Sequence, residues 1–174
     1  MHLSPFDKKT VDFETIIGPL LQVITQVTDC KVVPNEQIAQ VTKPPFVTYY
    51  PLTFDDPVFS DATANDGLFE AVISLDVFAD TLSVGMQKCG DLRAYLLDLY
   101  TRQLLRRDAS ITVRSASVPQ SRSVTDLPFK AVHHHGFDLT IQYYRHYTSP
   151  IDTISGVSDI SITNRRMNNG YYAF

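Results

Sequence analysis

Residues 68–78 read LFEAVISLDVF, which puts Phe69, Ala71, Ile73, Leu75 and Val77 on one side of an extended chain and Glu70, Ser74 and Asp76 on the other. Alternation with a period of two is the pattern of a β-strand buried on one face. The same pattern returns within residues 129–147, where Phe137, Leu139, Ile141 and Tyr143 oppose Asp138, Thr140, Gln142 and Tyr144. A shorter run, SITVRSASV at 110–118, predicts a third strand. A fourth is expected in the β-rich stretch 46–54, FVTYYPLTF; Pro51 has no N–H to give to a ladder, so this strand should lie at a sheet edge or stop near that residue.

Around these strands the apolar period changes to that of a helix. Phe13, Ile16, Ile17, Leu20, Leu21, Ile24 and Val27 recur three and four apart, as one helical face requires. Gly18-Pro19 interrupts that face, which predicts a kink there or a helix that begins near Pro19. After possible N-caps at 80–83, Met86, Cys89, Leu92, Leu96, Leu99 or Tyr100, and Leu104 predict one second helix. It ends in Arg102, Arg106 and Arg107, where positive charge suits the helix dipole. Residues 30–41 show no clean period, 55–67 (DDPVFSDATANDG) are expected to form a long acidic loop, and 119–128 (PQSRSVTDLP) a polar connection. The order predicts an α+β fold, a mostly antiparallel sheet of about four strands covered by two helices. A single domain is expected over 1–148, followed by a C-terminal arm, 149–174, rich in Ser, Thr, Asn and Gly and closing in Tyr171-Tyr172-Ala173-Phe174.

The chain has 174 residues, of which 44% are hydrophobic, enough to bury a substantial core without cross-links. Cys30 and Cys89 match no metal or redox spacing and are expected to be free thiols in a reducing compartment, Cys89 on the inward helical stripe. No run of residues reaches the roughly 20 apolar positions that a membrane-spanning helix needs. The net charge of −4 argues against a protein that wraps nucleic acid by neutralising phosphates. Its distribution is uneven. Between Lys43 and Lys88 there is no Lys, Arg or His, while seven acids fall there: Asp55, Asp56, Asp61, Asp66, Glu70, Asp76 and Asp80. An acidic middle and a basic remainder are surfaces that copies of one chain could pair, although a solvated acidic loop is the plainer expectation.

Sequence signatures of catalysis are missing: no G-x-S-x-G, H-E-x-x-H, G-x-x-x-x-G-K-[ST] or G-x-G-x-x-G occurs. The triplet His133-His134-His135 would place two imidazoles on one side of a strand and one on the other, whereas a catalytic zinc commonly takes three protein ligands. Histidines packed by their ring faces are the expected role. Asp138 and His146 are too loosely placed to complete a ligand set, and the Asp55-Asp56 pair, which could ligate a metal, is expected to be a solvated acidic turn.

Four stretches, GPLLQVIT (18–25), PPFVTY (44–49), ISLDVFAD (73–80) and HGFDLTIQY (135–143), together resemble the neck or tail terminator proteins of tailed bacteriophages, over about residues 11–147. The resemblance implies a small α+β domain, a structural virion protein without an active site or cofactor, and a hexameric ring that caps the tail tube. Its implied partners are further copies of itself, the tail tube protein, the head–tail connector and, in a contractile tail, the sheath. DNA would only pass through the lumen, and assembly would take place in the host bacterial cytoplasm. Within that frame, Asp55, Asp56, Asp61 and Asp66 are candidates for the lumen or a neighbour. Arg106, Arg107, Arg165, Arg166, Tyr171, Tyr172 and Phe174 are candidates for subunit contacts, the arm acting as a clamp. A different neck or head-completion component is the alternative, and a small metal-dependent hydrolase using His133 and His135 a second one.

Overall fold

The structure, a computed structural model, describes residues 13–41, 43–59, 67–122 and 133–145. Helix α1 (Phe13–Thr28) leads into strand β1 (Lys31–Pro34), a short 3-10 helix (Asn35–Gln40), β2 (Phe46–Pro57), β3 (Gly67–Ala79), α2 (Leu82–Leu97), α3 (Leu99–Ala109), β4 (Ile111–Ala116), β5 (Gln120–Ser121) and β6 (His133–Arg145). The sheet runs β1-β2-β3-β6-β4, with β5 also paired to β6. Every pairing is antiparallel except that of β1 with β2. The class is therefore the expected α+β, with six strands and three α-helices among the described residues in place of four and two.

The alternating apolar residues of β3 and β6 all face the helices. Phe69, Ala71, Ile73, Leu75, Val77, Phe137, Leu139, Ile141 and Tyr143 form one core with Ile17, Leu20 and Ile24 of α1, Cys89, Leu92 and Leu96 of α2, and Leu105 of α3. Removing such side chains from water is the main stabilising contribution, about 1.5–3 kcal/mol for each large one. Cys30 and Cys89 are free and buried, and burial pushes the Cys89 thiol up to about 11.

Three local expectations are corrected. First, α1 does not begin near Pro19 but starts at Phe13 and runs through it, with Ile17 on one side of Pro19 and Leu20 and Ile24 on the other anchored in the same core. Where α1 ends, Asp29 adopts a left-handed backbone (φ 50) and Lys88 of α2 donates to the Thr28 carbonyl at 2.8 Å, supplying the cation that the last turn of α1 lacks. Second, the second helix is two. Asp98 leaves helical geometry (φ −62, ψ 142) and its carboxylate accepts from the N–H groups of Tyr100 and Thr101, capping α3. The break turns the inward stripe from Leu96 to Thr101 and Leu105, so Leu99 and Tyr100 are exposed. Third, Asp55 and Asp56 are not loop residues; β2 carries them to Pro57, and only residues 60–66 of the expected loop lie outside the described residues. Pro51 lies within β2 yet meets the expectation of an edge, because β1 covers β2 only from Phe46 to Tyr49.

Candidate functional site

The face of the sheet turned away from the helices is polar along β3 and β6. Asp76 of β3 stands opposite Gly136 of β6, and Ser74 opposite Asp138. A Cβ at Gly136 would come within 1.7 Å of an Asp76 carboxylate oxygen and 2.8 Å of the Leu75 carbonyl, so the absent side chain is what lets Asp76 lie across the strand. Into that space β5 and its extension bring Arg122. Its backbone N–H donates to the His134 carbonyl at 2.8 Å. Its guanidinium donates to Asp76 at 2.9 Å, to Asp138 at 2.7 Å and to the Ser74 hydroxyl. Partial burial works against the Arg122 charge, but the hydrogen bond that it donates to Asp138 and the two carboxylate charges outweigh it and hold its pKa above the usual arginine value. The cluster is a closed set of ion pairs that ties β5 down on β3 and β6.

Beside it the histidine triplet separates as strand geometry dictates. His134 stacks on Phe78 (4.2 Å between ring centres), which stacks on Phe46 (4.8 Å), making an aromatic ladder across β6, β3 and β2; His134 Nε2 lies 3.2 Å from Asp76. His135 points the other way, buried beneath the first turn of α2, where Gly85 lets the helix settle onto it. Burial, followed by the positive charge that His133 and His134 can carry, lowers the His135 pKa. Among the described residues no group of three or more His, Cys, Asp or Glu is placed to hold a metal ion, and the triplet does not converge.

The two edges of the sheet carry unlike surfaces. Past Tyr49, β2 has no strand on its outer side among the described residues. That part of it bears Asp56, which pairs across the ladder with Glu70, and Glu70 accepts from Gln142 at 3.0 Å. Asp55, in a left-handed backbone (φ 63), accepts from the Tyr143 hydroxyl at 3.2 Å. Leu52 and Phe59 are exposed there, Phe59 to 70%. At the opposite edge β4 exposes Arg114, and α3, packed on β4, exposes Arg106. Arg107 is turned to a bidentate pair with Asp108 on its own helix.

Of the residues singled out from the sequence, Asp55 and Asp56 thus lie together on one edge and Arg106 and Arg107 near the other. Asp61, Asp66, Arg165, Arg166, Tyr171, Tyr172, Phe174 and the arm lie outside the described residues, as does His146. Sequence reasoning missed Arg122, which sits in what reads as a polar connection. The signal available was Gly136, a glycine in the middle of a strong strand, which marks close approach by another group.

Over residues 12–165 the chain matches the phage neck terminator proteins. It belongs to that family. The phage neck terminator family is a structural one, so this is a structural protein of the virion's neck and tail, as the four stretches led us to expect. The match runs past residue 147, the expected limit of the resemblance, into the stretch expected to form the arm. No curated protein matches the chain. Among the described residues of this neck terminator family member no helix is long and apolar enough to cross a membrane.

Proposed function

We propose that this neck terminator family member closes into a ring of identical subunits, a hexamer, which seats on the head-proximal end of the finished tail tube, stops its growth and joins it to the head–tail connector. The family match over 12–165 carries this reading. The fold supports it: one sheet that ends in an acidic edge and a basic edge suits head-to-tail contacts, which generate a ring wherever the rotation closes. The arm, 149–174, clamps the next subunit or the connector, and DNA crosses the lumen without sequence-specific contact. The subunits assemble in the host bacterial cytoplasm, and a contractile tail adds the sheath as a neighbour.

The test is mass by light scattering on the full chain, alone and mixed with tail tubes, with the mixture viewed by electron microscopy. Rings, or rings seated on one tube end, are expected. A monomer that ignores tubes and binds the connector would assign the protein to another position in the neck.

A further inference from the structure

The register of the sheet relates its two edges more closely than charge alone does. Following the ladders across, Pro57 of β2 lies in one row with Phe69, Tyr143 and Ile111, and Pro51 lies in one row with Ile73, Leu139 and Ala116. The stretch of β2 that β1 leaves uncovered, 51–57, therefore spans the same rows as the whole of β4, 111–116, on the far side of the sheet. β2 and β4 run in opposite directions, as successive antiparallel pairings require. A second copy displaced sideways along the sheet would bring its β4 antiparallel to this open stretch and level with it.

The side chains fit such a neighbour and no symmetric alternative. Asp56 and Glu70 place two carboxylates side by side across the ladder, an unfavourable pairing that a cation would relieve, and no cation of the described residues reaches them. Arg114 and Arg106 are exposed at the other edge without an acidic partner among the described residues. Two β2 edges together would oppose acids to acids, and two β4 edges would oppose arginines. Apolar side chains stand ready on both sides: Leu52 is 50% exposed, Phe59 70% and Val118, just beyond β4, 69%. Pro51, Pro57, the left-handed Asp55 and the two register shifts of β2 blunt its backbone against indiscriminate strand addition. The contact is thus made mainly by side chains.

We infer that the open stretch of β2 on one copy docks against β4 on the next, with Asp56 facing Arg114, with Leu52 toward Val118 at one end of the contact and with Phe59 against the end of α3 at the other. This rests on the ring reading and gives that ring its subunit contact.

The experiment uses the full chain. D56R and R114E are each expected to raise the concentration needed for self-assembly, alone or on tail tubes, by about tenfold or more, and the double variant D56R/R114E to recover most of the loss. Both residues are exposed, so neither variant is expected to lower the melting temperature. In a second variant, L52C/S115C, whose two positions fall in neighbouring rows, oxidation is expected to yield a ladder of cross-linked subunits on a non-reducing gel, the native cysteines being buried. Rings that form normally in both charge variants and give no cross-linked ladder would overturn this contact and leave the ring standing. A wild-type chain that forms no ring, with or without tubes, would overturn the ring and the contact together.

Discussion

On the helix-covered side of β3 and β6, Ile73, Leu75, Leu139 and Ile141 are fully buried among apolar neighbours; on the other side of the same two strands Asp76, Asp138 and His134 are gathered around one arginine. The covered side gains its stability from area removed from water, which is non-directional and forgiving of shape. The open side gains from a few ion pairs whose geometry depends on a missing side chain at Gly136. One ladder of backbone hydrogen bonds thus carries two kinds of order. The covered side decides whether the chain folds, and the open side decides which connecting segment lies down where.

Leu139→Ala should do the most damage, a loss of about 2–5 kcal/mol in urea unfolding that does not vary with salt. Gly136→Ala adds only a methyl group but sets it against Asp76 and the Leu75 carbonyl. It should cost about 1–3 kcal/mol, and the loss of the Arg122 contacts should appear as faster proteolysis after residue 122. Arg122→Ala leaves Asp76 and Asp138 without their cation. Because Arg122 keeps 27% of its side-chain surface, the expected loss is about 1–2 kcal/mol, below that of a fully buried pair. A loss as large as that of Leu139→Ala would mean that the open side, too, governs folding. The smallest effect concerns pH. His135 has a folded pKa below its ordinary value, so the folded state resists its protonation. Stability should fall as pH drops from about 6.5 through the lowered folded value, then level off, and His135→Gln should flatten that part of the profile. An unchanged slope in the variant would assign the pH dependence to other groups.

The covered side was legible in the sequence and the open side was not, for a physical reason. Burial repeats at every second residue of β3 and β6, so Phe69 to Val77 and Phe137 to Tyr143 announce themselves. The split of His133 and His135 from His134 follows from the same period. Ion pairs have no period: Arg122, Ser74, Asp76 and Asp138 come from three separate stretches and meet only once the strands are in register. The break at Asp98 was hidden because Leu96, Tyr100 and Leu104 keep helical spacing across it, while the cap that makes it is a single carboxylate. Strand β1, four residues long and ending in proline, offers too few alternations to read. Asp55 and Asp56 read as loop because charge is rare in strands; they are tolerated in β2 since, among the described residues, no strand pairs with the outer side of that stretch.

The centre of the sheet joins β3 to β6, Gly67 to Arg145 and Ala79 to His133, with α2, α3 and β4 made in between. During synthesis β3 therefore waits, its inner side unsealed, until nearly all of the described chain has left the ribosome. Among the described residues β4 pairs with β6 alone, so the β4 edge takes its place in the sheet after β6 does. A chain stopped short of β6 thus has an acidic end without its basic counterpart. In the ring we propose, prematurely ended copies would be poor building blocks, and the order of the strands would itself act as quality control on assembly.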